Sequence, residues 1–322
     1  MALSDMKVFN EYLKKTTVET LAQDVEKFNA ASAGAIVLTT QGIDGDFLQE
    51  SFWAGLHSAQ RRVDRYASNG AQNSTALSQK QYDSVKIAGG FGPILWEPAQ
   101  LSWIQKSPEE ALEVISRNLS EAIIADQLNT AIAALVAALS NQAGATNDVS
   151  ATAGITYTAI NAAHAKFGDA SGRIVAQVMT GEVFHKLIGQ NLTNSQNLFR
   201  AGDVTIVDIL GKAVIVTDAP ALFETGTPSK QKVLSLATGA AVVSDGSDLV
   251  TNISTTNGKQ RIETTFQADY SFALGLKGYT WDTANGGKSP TDADIGTGSN
   301  WDLVANSIKA SAGVITIGDA SK

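Results

Sequence analysis

Apolar residues recur every three or four positions through the middle of the chain. Leu112, Ile115, Leu119 and Ile123 lead into Ile124, Leu128, Ile132, Leu135 and Leu139 on a drifting face, with neither glycine nor proline before Gly144. Ser107 is placed to cap, Pro108 suits a first helical position, and Glu110 lies three residues after the cap. The pattern predicts a helix over about 107–143, roughly 50 Å long if unbroken. A helix of that length crosses a whole domain.

Upstream, Val8, Phe9, Tyr12 and Leu13, then Val18, Leu21, Val25 and Phe28, give a polar amphipathic piece that ends in small residues at 30–35, read as an N-terminal arm. Ile36–Thr40 is strand-like, and Gly42–Asp46 is a turn. Phe52, Trp53 and Leu56 predict a helix over Phe47–Gln60, and a short helical piece is expected at Leu77–Tyr82. Ser84–Ala88 alternates like a strand. Between the two strand-like pieces runs a long polar excursion, read as an extended loop projecting from a body.

After Thr156 the elements shorten. Helices are expected at Ala159–Phe167 and Glu182–Ile188, and strands at Ile174–Met179, Val233–Leu236, Ala240–Val243 and Arg261–Leu276. Val204–Leu210 and Ala213–Thr217 around Gly211 read as a hairpin. A helix from Ser299 to about Ala310 and a strand at Val314–Ile317 close the chain.

Composition narrows what such a chain does. Twenty-four Lys and Arg stand against 32 Asp and Glu, a net charge of −8, and charged residues make up 17% of the 322. An acidic balance argues against gripping nucleic acid, which needs clustered cations. Cysteine is absent, which removes disulfides, thiolate metal sites and cysteine nucleophiles. The three histidines, His57, His164 and His185, are far apart in sequence. The N-terminus lacks the basic-then-apolar order of a signal peptide, and no run approaches 18 uninterrupted apolar residues, so a soluble chain made without export is expected.

Catalytic signatures are missing: no phosphate loop, dinucleotide fingerprint, nucleophile elbow or zinc-helix motif occurs. Gly89–Gly90–Phe91–Gly92–Pro93 reads as a plain turn more than an anion cradle, because no Lys-Ser/Thr follows. The pairs Asp44 with Asp46, Asp245 with Asp248 and Asp292 with Asp294 lack calcium-loop spacing and read as solvated turns. No catalytic residue, cofactor site or metal site is assigned. Arg61, Arg62 and Arg65 form the one basic knot of an acidic chain. They read either as a solvated helix end or as a subunit contact in which guanidinium forks meet carboxylates of a neighbouring copy. Of the tryptophans, Trp53, Trp281 and Trp301 read as core, while Trp96 and Trp103 are candidates for an interface. An arm, a projecting loop and a very long helix together point to surface buried on another subunit.

Val178-Met179-Thr180-Gly181-Glu182-Val183-Phe184-His185-Lys186-Leu187 resembles the strand-then-helix passage of tailed-phage major capsid proteins. Leu210 to Asp218 is similar to their hairpin, and Gly278 to Asp282, Ser289-Pro290-Thr291 and Asn300-Trp301 to their closing stretch. The order of elements agrees as well. The resemblance implies an α+β, Hong Kong 97-like fold. It divides the chain into an N-terminal arm at 1–35 and a peripheral domain at 36–149 with an extended loop at about 59–90 and the spine helix at about 107–143. An axial domain at 150–258, return strands of the peripheral domain at 259–288 and a C-terminal part of the axial domain at 289–322 complete it.

The function implied is that of a major capsid protein: pentamers and hexamers of an icosahedral shell around double-stranded DNA that it contacts only weakly. The implied partners are the chain itself, a separate scaffolding protein, a portal and, optionally, a decoration protein, with no membrane. Assembly would take place in the bacterial host cytoplasm and the product would be the virion. Lys80 and Lys86 lie in the projecting region, but no asparagine partner or catalytic glutamate for a covalent cross-link is identified. An encapsulin-type compartment shell and a cytosolic α/β enzyme acting at the Gly89–Gly92 turn remain alternatives at this point.

Overall fold

The computed structural model describes residues 32–39, 47–53, 60–68, 79–96, 108–194, 211–246, 248–258 and 262–322, with isolated positions at 13, 15–17, 29, 70, 71, 74 and 76. For residues 47–53, 96, 108–113 and 191–194 the backbone alone is described.

The expected long helix forms as α1, Pro108–Ser140. Its two halves differ in burial. Before residue 130 it is amphipathic: Leu119, Ile123 and Gln127 face inward, while Arg117, Asn118, Glu121, Ala125 and Asn129 are exposed. From Ala131 to Leu139 every residue except Ala133 is buried. An alanine-rich tract can be enclosed all round because its small side chains let sheets approach from several directions. Val114–Ser140 is long and apolar enough to cross a membrane, yet most of that surface is buried within the fold. It is a core helix.

Two sheets share this helix. The first runs β1 (Ile36–Thr39), β9 (Ala241–Asp245), β11 (Glu263–Leu276), β3 (Gln79–Trp96), β2 (Phe47–Trp53), with β10 (Val250–Thr256) also paired to β11. Only β1 and β9 are parallel in it. Alternation along β11 sends Phe266, Ala268, Tyr270, Phe272, Leu274 and Leu276 into one cluster with Val85, Ile87 and α1. The second sheet runs β4 (Thr146–Asp148), β14 (Gly313–Asp319), β8 (Lys230–Ala237), β5 (Ile174–Met179), β6 (Ala213–Val216), with β7 (Phe223–Glu224) on β8. Its Leu234, Leu236, Ile315 and Ile317 join the cluster around α1. Its other face is covered by α2 (Tyr157–Lys166) and α3 (Gly181–Asn194). Residues 241–256 thus pair within the first sheet, whereas the sequence reading grouped them with 150–240.

A small ribbon, β12 (Tyr279–Trp281) with β13 (Trp301–Leu303), brings Trp281 and Trp301 edge to face at 4.8 Å. Both are buried, as their core reading required. The short α4 (Asp292–Ile295) beside them is closed by a capping box between Thr291 and Asp294.

Five expectations are corrected. Phe47–Trp53 is a strand, not the start of a helix, and 79–82 is the first part of an 18-residue strand. Aromatics spaced over so few residues fit either period, and pairing of Phe47–Trp53 with Gln79–Val85 decides for strand. Residues 54–59 and Leu77 lie outside the described residues. Gly89–Gly92 is no turn but the middle of β3. A Cβ on Gly89 would sit 2.7 Å from the Tyr270 ring and one on Gly92 2.6 Å from Phe266 O, so glycine here permits close approach within the sheet. The helix expected from Ser299 to Ala310 is replaced by a 3₁₀ turn at Gly298–Asn300, β13, and another 3₁₀ turn at Ile308–Ala310. Pairing of Trp301 with Trp281 overrides the local pattern. In the expected 204–217 hairpin, Ala213–Val216 is a strand parallel to β5, and Val204–Leu210 lies outside the described residues. The 42–46 turn lies outside them too, as does most of the N-terminal arm, where Leu13 and Thr17 are nevertheless buried.

Candidate functional site

β2 and β3 form a two-stranded ribbon at the edge of the first sheet, and the chain between them, residues 54–78, carries the basic knot. Arg61, Arg62 and Arg65 are exposed, and none makes an ion pair among the described residues. Val63 is 64% exposed and Tyr66 91%. The Asp64 carboxylate accepts the Tyr66 N–H at 2.9 Å, a local Asx turn, and the Arg65 guanidinium lies 5.8 Å from the Tyr66 ring centroid. This is a loop, not a helix end. Exposed Tyr and Arg in one short segment are the residue types that anchor protein contacts.

The root of the ribbon is pinned. Lys80 Nζ donates to Val304 O at 2.8 Å and to Asn306 Oδ1 at 3.1 Å, and the Asp83 N–H donates to Thr280 Oγ1 at 2.9 Å. Ser84, Val85 and Ile87 are buried just beyond. The strand end next to the loop is thus held in place, and the loop's described residues 60–68 are exposed. Trp96 ends β3 opposite Thr264. Trp103 lies outside the described residues.

Other polar candidates are tied into the fold. Burial raises the affinity of Asp248 for its proton, but a Ser271 hydroxyl at 2.6 Å, Lys86 at 3.2 Å and the Ser271 N–H outweigh it and hold the carboxyl below its usual range. Asp248 therefore ties the β9–β10 connection to β11 and β3. Asp294 belongs to the capping box, and Asp44 and Asp46 lie outside the described residues. His164 is 7% exposed on α2, and its Nε2 lies 3.0 Å from Ser235 Oγ. Among the described residues no group of three or more His, Asp or Glu is placed to hold a metal ion.

Sequence reasoning missed Lys80 as a ribbon anchor, the contact of Tyr270 with Asp126, and the pairing of His164 with Ser235. Partners 71 to 226 residues apart leave no local spacing to read.

A family model for Gp13-like proteins, described as major capsid protein 13-like, matches residues 5–315. The capsid asymmetric unit of cyanophage Pam1 superposes with TM-score 0.54 and 12% identity, over 90% of this chain and 92% of that one. The capsid of cyanophage P-SCSP1u gives TM-score 0.48 and 11% identity over 76% and 84%, and the head of Helicobacter pylori bacteriophage KHP40 gives 0.46 and 9% over 88% of each. No curated protein sequence matches the chain. The Pam1 likeness establishes the Hong Kong 97-like fold, and the family model spans nearly the whole sequence. The chain belongs to the Gp13-like family of major capsid proteins, and it is a phage head-shell protein, a virion component and not an enzyme.

Proposed function

We propose that copies of this chain assemble as pentamers and hexamers of an icosahedral shell enclosing double-stranded DNA, with the loop between β2 and β3 seated on an adjacent subunit. The observation that carries the contact is the arginine knot: three exposed guanidinium groups without ion pairs among the described residues, on a pinned ribbon, in a chain of net charge −8. Each isolated surface ion pair is weak, about 0–1 kcal/mol. Several such pairs repeated by symmetry in every subunit give a closed shell its register. Trp96 and Trp103 are proposed for the same class of contact.

The first sheet, its ribbon and α1 form the proposed peripheral domain, to which the strands at 241–256 are assigned by their pairing. The second sheet with α2 and α3 forms the proposed axial domain. An acidic subunit favours a lining that contains DNA without holding it tightly. A separate scaffolding protein, a portal and an optional decoration protein are the proposed partners, with assembly in the host cytoplasm.

The test is the triple variant Arg61→Glu, Arg62→Glu, Arg65→Glu, co-expressed with the other head genes and viewed by negative-stain microscopy. The expected result is folded protein with an unchanged circular dichroism spectrum and no shells. Normal particles would overturn the contact.

A further inference from the structure

α2 reaches the second sheet through apolar packing, through bonds of Asn147 to Ala159 O and of Lys166 to Thr146 O at the β4 edge, and through one buried histidine contact. His164 is buried beside Ala163, which packs on Ile174 and Val314 of the sheet, and its ring meets the Ser235 hydroxyl of β8 at 3.0 Å. Around it Ile160, Phe167, Val233 and Val314 are buried. A neutral imidazole fits there, because one ring nitrogen and one hydroxyl satisfy each other. An imidazolium does not, because a charge taken from water needs a counter-charge that this interface does not supply.

The charged groups on the neighbouring elements bear this out: on α3, Glu182 pairs with Lys186, which also donates to Ala320 O, and His185 is exposed. On α2 itself Lys166 is turned away, donating to Ala143 O and Thr146 O. Asp148 of β4 pairs with Lys230 of β8, and Lys232 of β8 pairs with Glu224. Lys230 and Lys232 alternate with Ser235 along β8 and so lie on the sheet's opposite face. Asp319 of β14 is held by Ser321 and Lys322. In the 3₁₀ segment after α2, Asp169 pairs with Lys309, and Arg173 is exposed. Lys212, just before β6, is the charge that acts on the ring, and it is of like sign.

We propose that the seat of α2 on the second sheet is an acid-sensitive latch, closed while His164 is neutral and opened when it takes up a proton. Burial first, and Lys212 second, hold the imidazole below its ordinary pKa. The sign follows: the unfolded or undocked histidine binds protons more readily than the docked one, so docking is undiminished above about pH 6.5 and weakens as pH falls below it. Acid loosening would then begin at this helix and not throughout the subunit.

Hydrogen exchange of the full-length protein, corrected for intrinsic rates, tests this between pH 7.5 and 4.5. The expected result is a fall of tenfold or more in protection of the peptide over 157–166 on acidification, at pH values where α1 keeps its own. His164→Gln, which retains a neutral partner for Ser235, is expected to flatten that fall. Lys212→Met removes the like charge, narrows the difference in proton affinity between docked and undocked histidine, and is expected to shrink the fall while leaving the neutral-pH protection unchanged. Undiminished protection of wild-type α2 through pH 4.5, or the same fall in His164→Gln, would overturn the latch. Should His164→Gln fail to fold, an undiminished fall in Lys212→Met would overturn it as well.

Discussion

Asn29 holds Leu38 by both ends of its amide: Nδ2 donates to Leu38 O at 2.6 Å, and Oδ1 accepts the Leu38 N–H at 2.8 Å. The side chain thereby takes the place of a neighbouring strand along the outer edge of β1. Ser32 adds a bond from Oγ to Ile36 O at 3.0 Å, so the two outward carbonyls of the short edge strand are satisfied from within the chain. Open strand edges invite pairing with other chains. A subunit that must meet its copies in one defined way gains from closing the edges it does not use.

Asn29→Ala is therefore expected to destabilise the subunit by about 1–3 kcal/mol, since it leaves a backbone donor and acceptor at β1 without partners. Asn29→Asp keeps the acceptor and loses the donor, and is expected to cost less. Urea denaturation of the unassembled subunit measures both. Light scattering at intermediate urea is expected to rise first in Asn29→Ala, and equal stability of all three proteins would refute the edge closure.

A second link joins α1 to the first sheet. The Tyr270 hydroxyl donates to Asp126 Oδ2 at 2.5 Å. Burial, then the bond to Asp126, push the phenol's pKa far above its usual value, and burial moves Tyr279 up to about 12. Both phenols bind their protons more tightly folded than unfolded. Their contribution is thus complete below about pH 10 and is lost as pH rises beyond it. Ultraviolet titration is expected to show Tyr270 ionising only with alkaline unfolding. Tyr270→Phe is expected to cost about 1.5–3 kcal/mol by leaving the Asp126 carboxylate without its donor.

What could be read ahead of the structure follows from how locally each feature is encoded. α1 carries its own periodicity, cap and uninterrupted length, and it forms within a few residues of the expected 107–143. Ile174–Met179 is an apolar run broken only by Gln177 and bounded by turn residues, and it is a strand with those limits. β2, the glycine stretch of β3 and β13 escape the local pattern because their conformation is set by partners: Phe47 pairs with Val85, Gly89 with Tyr270 and Trp301 with Trp281. The arginine knot is visible as composition, but its position on a pinned ribbon depends on Lys80 meeting Val304 across 224 residues. Local pattern carries elements, and distant pairing carries their placement.

Gly286 is constrained by the tryptophan pair. A Cβ there would collide with Cζ2 of Trp281, in the ring that packs on Trp301. The Trp281 indole N–H donates to Gly287 O at 3.0 Å, so the ring is not free to retreat. Gly286→Ala is expected to cost about 3 kcal/mol, at the upper end of overpacking effects. At Gly172 an added methyl group would meet no atom within 4 Å, and Gly172→Ala is expected to change stability by less than about 1 kcal/mol. Thermal denaturation of the two variants side by side gives the comparison, with near-ultraviolet circular dichroism reporting the tryptophan pair.

The C-terminal end of α1 has no basic residue in its last turn, although its carbonyls carry the negative end of the helix dipole. Donors to its last turn and to the turn that follows come from other elements. Lys166 at the end of α2 donates to Ala143 O and Thr146 O, and the Thr146 hydroxyl donates to Leu139 O at 2.8 Å and Gln142 O at 3.0 Å. Because Leu139 closes the fully enclosed part of the helix, its carbonyl has no ready access to water. Thr146→Val keeps the shape and removes the donor, and is expected to destabilise by about 1–2 kcal/mol. Lys166→Met acts at a more exposed site and is expected to cost less than about 1 kcal/mol, shrinking further in high salt. Since Lys166 and Thr146 act on the same short segment, the double variant is expected to differ from the sum of the two single effects. Urea denaturation of the four proteins at low and high salt measures the coupling, and strict additivity would mean that the two side chains cap the helix independently.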